Sequence, residues 1–112
     1  MRSGNIFANV PETLGDEQFI TLLSSPHVRI ERIVSMRHAS PPDFWFDQEW
    51  TEWVVVLAGS AGLRIAGEDA TLTLRPGDYV ELPAHGKHRI EWTDADQPTV
   101  WLAVHLEAQA GS

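Results

Sequence analysis

The sequence predicts an all-β protein, a sandwich or barrel built from several short strands. From residue 28 onward, apolar and polar residues alternate with a period of two, as side chains do on the two faces of a strand. Turn-forming Gly, Pro and Asp residues interrupt this alternation every few residues. With 112 residues, 43% of them hydrophobic, the chain is expected to form a single domain with a real core.

The first segment, residues 1–27, is interpreted as an N-terminal extension with one short helix. Phe19, Leu22 and Leu23 lie at helical spacing, and Asp16 is suited to cap the first turn. A Ser-Ser-Pro sequence follows and would end such a helix.

The barrel is expected to span residues 28–106, with residues 107–112 as a tail. Its clearest alternation is in Ala70–Leu74, where leucines take one face and threonines the other. Seven segments read as strands: 28–34, Trp53–Ala58, Leu63–Ile65, Ala70–Leu74, Tyr79–Leu82, His88–Trp92 and Thr99–Leu106.

Charge and composition exclude several classes of partner. Sixteen acidic against eight basic residues give a net charge of −8, and such a surface repels nucleic acids and anionic membranes. The sequence has no apolar run of membrane-spanning length and no secretory signal pattern, so we expect a cytoplasmic protein. The absence of cysteine excludes disulfides and thiolate metal ligands.

A spaced set of turn residues and a histidine carries a family resemblance. Gly77, Pro83 and His88 match the pattern G-x5-P-x-G-x2-H, with His85 in place of its second glycine. This pattern resembles the second signature of the cupin superfamily, and the chain is similar to small single-domain cupin-2-type proteins of unknown function. The resemblance implies a double-stranded β-helix, a small jelly-roll barrel, and a metal-ligand role for His88.

The first cupin signature, G-x5-H-x-H-x3,4-E-x6-G, is matched in its second half by Glu52 and Gly59. In place of the His-x-His pair, this chain has Phe46-Asp47-Gln48. With three intervening residues, Gln48 takes the position of the second histidine; with four, Asp47 does. The resemblance therefore implies a metal set of Gln48, Glu52 and His88.

Strand parity places the same three residues together. Glu52 and Gln48 share parity with Val54, which suits a barrel interior, and His88 shares parity with Ile90. Buried polar groups need a partner, and a divalent transition metal (Zn, Mn, Fe, Ni or Co) would supply one. The alternative is that Glu52 forms a salt bridge to an arginine and His88 a structural hydrogen bond.

Three further residues are candidates for a general base or an additional ligand. His38 and His105 share parity with apolar residues of their strands, and Asp47 would face inward if its strand bulges. Phe46 and Trp92 are expected to line the pocket.

The opposite face of the second predicted strand, Trp53–Ala58, carries Trp53, Val55 and Leu57. An apolar outer face on a small barrel indicates a partner subunit, so the sequence predicts a homodimer.

The function that follows is a metal-binding single-domain cupin that acts on or binds a small organic molecule in the barrel. The alternative is a non-catalytic small-molecule-binding or sensor cupin with a degraded metal site. A purely structural dimerisation module is a third reading. The residues do not decide whether the protein is an enzyme, because one fold supports many chemistries.

Overall fold

The computed structural model describes residues 1–107, and these form eight strands. No helix that is long and apolar enough to cross a membrane occurs among them, and the cytoplasmic location stays a prediction. The strands are β1 (Gln18–Ser24), β2 (Val28–Ser35), β3 (Trp50–Ala58), β4 (Ala61–Ile65), β5 (Leu72–Leu74), β6 (Tyr79–Leu82), β7 (His88–Thr93) and β8 (Thr99–Glu107).

The strands form two antiparallel sheets. The larger sheet has the order β1-β2-β8-β3-β6 and the smaller has the order β5-β4-β7. The prediction of an all-β architecture is confirmed. The central core cluster draws on both sheets and consists of Val54, Val56, Ala61, Leu63, Leu74, Leu82, Trp101 and Ala103.

The predicted N-terminal helix is wrong, because its residues form strand β1, which pairs with β2. A register shift lies between Thr21 and Leu23, where two steps along β1 match one step along β2. Such a bulge interrupts the period-two alternation. Leu22 is the extra residue of the bulge, and Phe19, Leu22 and Leu23 consequently fall at a spacing that resembles a helix.

Most strand predictions match the structure closely. Tyr79–Leu82 has the expected bounds, and β3 begins at Trp50, three residues before the predicted start. Glu107, the first residue of the predicted tail, is the last residue of β8. Residues 108–112 lie outside the described part of the chain.

The N-terminal segment lies over the outer face of the larger sheet. Arg32 is only 4% exposed, and its guanidinium donates hydrogen bonds to the backbone carbonyls of Ile6 and Ala8 and to the side chain of Gln18. Part of the outer face is therefore covered by the chain itself. Trp53 stays half-buried on that face, and the homodimer stays a prediction.

The turn between β6 and β7 explains the glycine of the family pattern. His85 has a φ of 62°, in the left-handed region that favours glycine. Its imidazole Nδ1 lies 2.7 Å from a carboxylate oxygen of Asp47, and its backbone N–H donates to the carbonyl of Gln48. These two bonds fasten the turn to the segment that leads into β3.

Candidate functional site

A cavity of about 240 Å³ lies between the two sheets. This volume is below the range of about 300–1,000 Å³ typical of drug-sized ligands. Its apolar walls include Phe19, Ile33, Phe46, Val54, Leu63, Leu82, Ile90 and Trp101. Its polar lining is made of carboxylates, imidazoles, one amide and one hydroxyl, from Glu17, Glu31, His38, Ser40, Gln48, Glu52, His88 and His105.

Glu52 lies near the middle of the larger sheet. It sits on β3 opposite His105 of β8 and Leu82 of β6, and only 9% of its surface is exposed. Burial raises the pKa of this carboxyl above its ordinary value of 4.5, since desolvation disfavours the charged form. The imidazoles of His105 and His88 act in the opposite direction, lowering the pKa. Glu52 therefore retains a proton to higher pH than an exposed glutamate does.

His88 opens β7 and is 5% exposed. Its Nδ1 lies 3.1 Å from the carbonyl oxygen of Gly86, so Nδ1 carries the proton and donates it in this bond. Nε2 then holds the free lone pair of the ring. The Phe46 ring stacks on the imidazole at 5.4 Å, and the two backbones exchange hydrogen bonds of 2.7 and 3.2 Å. A backbone-anchored imidazole of this kind is suited to bind a metal or accept a proton.

His105 is held by a partner that sequence reasoning missed. Its Nε2 lies 2.9 Å from a carboxylate oxygen of Glu31, and both residues are buried. The Nδ1 of His105 is buried without a hydrogen-bond partner among residues 1–107. A signal for Glu31 existed in its strand parity with Ile33, which also lines the cavity.

His38 lines the cavity but has both ring nitrogens engaged. Nδ1 accepts a hydrogen bond of 2.8 Å from the backbone N–H of Met36, so Nε2 carries the proton. Nε2 lies 3.0 Å from the carbonyl oxygen of Gly15. Neither nitrogen is left for a metal or for general-base catalysis in this arrangement.

The segment before β3 divides its side chains between the cavity and the surface. Phe46 and Gln48 line the cavity. Asp47 is exposed and pairs with His85, so the structure does not bring it to the site as a base.

Trp92 does not line the cavity, contrary to the sequence-based expectation. A register shift in the β4–β7 pairing matches Gly62 with Trp92 and Leu63 with Ile90. Because of the extra residue on β7, Trp92 no longer lies on the same face of the strand as Ile90, which lines the cavity. The indole instead covers Gly62, where an added Cβ would lie 2.2 Å from Trp92 Nε1, and it is 39% exposed.

The donor set for a metal is small. Within residues 1–107, no group of three or more His, Cys, Asp or Glu side chains is arranged to hold a metal ion. Glu52 and His88 share one cavity, and the amide of Gln48 is the third donor of the expected set. The ligand roles of these three residues stay predictions.

Comparison with known proteins identifies the family. The family model for the cupin domain matches residues 35–105, more than half of the chain. A structure from Ralstonia eutropha JMP134, of a protein provisionally named a mannose-6-phosphate isomerase, is 50% identical with a TM-score of 0.94. The match covers 96% of this chain and 100% of that one. No curated protein matches the chain.

More distant structures share the fold. A cupin superfamily protein from Desulfitobacterium hafniense DCB-2 is 18% identical with a TM-score of 0.72, over 88% of this chain and 84% of that one. A polyketide cyclase from Streptomyces resistomycificus is 20% identical with a TM-score of 0.70, over 86% of this chain and 68% of that one. The resemblance drawn from Gly77, Pro83 and His88 is confirmed: the chain belongs to the cupin superfamily.

Proposed function

We propose that this cupin binds a small organic molecule in the cavity between its sheets and acts on it with the help of a divalent transition metal. The observation that supports this most is the placement of Glu52 and His88. A carboxylate with a raised pKa and an imidazole with a free lone pair both line one largely apolar cavity. Convergent polar groups in an apolar pocket are the usual mark of a ligand site.

The metal would be held by Nε2 of His88, the carboxylate of Glu52 and the amide oxygen of Gln48. The anchoring of His88 through its other nitrogen supports this, because metal-bound histidines are commonly oriented in that way. A bound divalent ion would supply Lewis-acid chemistry. Nitrogen and oxygen donors suit Zn, Mn, Fe, Ni or Co alike.

The chain's own residues are suited to move protons. Burial raises the pKa of the Glu52 carboxyl, but a Glu52 that binds the metal is ionised, so the unpartnered Nδ1 of His105 is the group suited to accept a proton. Glu31 fixes the orientation of His105 on the neighbouring strand, directly opposite Glu52. The name given to the Ralstonia eutropha relative, an isomerase, is in keeping with proton transfer as the reaction type.

Element analysis of untagged protein tests whether the protein binds a transition metal. We expect near-stoichiometric transition metal after growth in supplemented medium, and we expect Glu52→Gln and His88→Ala to lose it. His85→Ala is the matched control, because that histidine is exposed and pairs with Asp47 at the surface. Wild-type protein that contains no metal under these conditions would refute the metal-dependent proposal.

The second candidate is a binding or sensor cupin without turnover. The engagement of His38 favours it, since its hydrogen bonds to Gly15 and Met36 leave fewer free imidazoles than a full cupin ligand set needs. A metabolite panel separates the two candidates. Thermal stabilisation without product formation supports the sensor, whereas product formation that Glu52→Gln abolishes supports the enzyme.

A further inference from the structure

We propose that the cavity selects a small, partly aromatic or aliphatic molecule that is neutral or cationic, presents a hydroxyl or ammonium group, and carries no phosphate or carboxylate. This inference rests on the proposed function, in that the cavity is taken as the ligand site. It separates the chain from the sugar-phosphate chemistry named for its Ralstonia eutropha relative.

The first argument is the charge of the lining. Glu17, Glu31 and Glu52 all line the cavity, and among residues 1–107 no lysine or arginine lines it. A phosphate dianion binds where guanidinium, ammonium or clustered N–H groups neutralise it.

The second argument is that three arginines close in sequence to lining residues contact other groups. Arg29 lies 3.8 Å from Glu31 and over the Trp50 ring, and it is partly exposed. Arg32 donates to the N-terminal segment on the opposite face of the sheet. Arg89 donates to backbone carbonyls of the loop before β3 and pairs with Glu91. None of the three lines the cavity.

The third argument is the direction of the remaining hydrogen bonds. His88 donates through Nδ1 to Gly86, which leaves an acceptor at Nε2 while no metal binds it. His105 is bonded to the Glu31 carboxylate through Nε2, so that nitrogen donates and the unpartnered Nδ1 is an acceptor. The oxygens of the Glu52 carboxyl group are also acceptors while no metal binds them. A ligand that donates hydrogen bonds satisfies these groups, whereas a second set of acceptors leaves them unpaired at a cost.

The remaining lining restricts size and shape. Phe46, Ile90, Trp101 and other apolar side chains form most of the wall, and the volume is about 240 Å³. Burial of a compact hydrocarbon part against this wall would supply the main binding energy. A one-ring amine or alcohol has the required combination of an apolar body and a single donor group.

The test uses four probes with protein freed of metal by chelation, at about pH 8. Benzylamine, benzyl alcohol and benzoate share one ring and differ in charge, and mannose-6-phosphate represents sugar phosphates. Calorimetric titration gives the affinities, and amide shifts around Glu52 and His105 in NMR spectra locate the binding. We expect benzylamine and benzyl alcohol to bind at least about tenfold more tightly than benzoate or mannose-6-phosphate.

Two variants assign the effect to the lining. Glu52→Gln should weaken benzylamine about tenfold and benzyl alcohol much less, since only the ammonium needs the charge. Glu81→Gln, on the exposed side of β6, should change neither. Tighter binding of benzoate or mannose-6-phosphate in the cavity would overturn this inference and leave the proposed ligand site intact. Binding of none of the four probes would count against both.

Discussion

Glu31 provides a direct test of the buried polar network. The residue is 8% exposed, and its carboxylate accepts the hydrogen bond from His105 Nε2 at 2.9 Å. A carboxylate oxygen also lies 3.8 Å from Nε of Arg29. Replacing it with alanine removes a hydrogen bond to a charged group, worth about 1.5–3 kcal/mol, and leaves Nε2–H buried without an acceptor. His105 would then have both ring nitrogens unpartnered, because Nδ1 has no partner among residues 1–107.

We expect Glu31→Ala to lower the free energy of unfolding by about 3 kcal/mol, since the orphaned donor adds to the lost bond. At about 4 °C per kcal/mol for a chain of this size, Tm should fall by about 12 °C. Glu31→Gln keeps an acceptor for Nε2–H and relieves the repulsion between Glu31 and Glu52, so it should cost about 1 kcal/mol or less.

Urea unfolding followed by tryptophan fluorescence measures both costs, with Glu81→Ala as the exposed control. Equal destabilisation by alanine and glutamine would refute the reasoning, because it would mean that the hydrogen bond to His105 contributes nothing. A second readout is independent of stability. Since Glu31 raises the pKa of Glu52, Glu31→Gln should lower that pKa in carboxyl NMR titrations.

Three further predictions concern other parts of the molecule. The folded-state pKa of Glu52 is raised above 4.5, so the native state binds its proton more tightly and stability is lost as pH rises through the folded pKa. In urea unfolding, Glu52→Gln should therefore gain stability relative to wild type as the pH is raised above 4.5, and a difference that does not change with pH would contradict this. Gly62→Ala should cost about 1–3 kcal/mol through its clash with the Trp92 indole, and the added Trp92→Ala change should remove most of that penalty in a double-mutant cycle. For the predicted homodimer, light scattering after gel filtration should give the mass of a dimer. Val104→Glu, on the outer face, should reduce that mass to a monomer, and the control Thr71→Glu should not. A monomeric wild type would refute the prediction.

Sequence patterns predict the fold of this chain where strands are regular and fail where they bulge. The Tyr79–Leu82 strand lies between two turns with clear Gly and Pro signals, and its bounds match. The helix expected around Phe19 and the inward position expected for Trp92 both fail at register shifts. An extra residue in one strand leaves no local mark in composition, because only the pairing partner reveals it.

The residues of the candidate site could be predicted from the sequence only in part, for a similar reason. Gln48, Glu52 and His88 carry motif spacing and strand parity, and the structure places all three on one cavity. The hydrogen-bond partners of the histidines could not be predicted, because the bonds from His105 to Glu31 and from His38 to Gly15 join residues far apart in sequence. Those bonds decide which ring nitrogens are free for chemistry.

The bulge in β1 affects how readily the protein aggregates. β1 is an edge of the larger sheet, and its exposed side chains include Phe19, Ile20, Leu22 and Leu23. A flat apolar border of this kind is a template for strand addition by other molecules, and a bulge distorts the ladder that an incoming strand would need. Deleting Leu22 would restore a straight border, and thioflavin T fluorescence on prolonged incubation should then rise well above that of the intact chain.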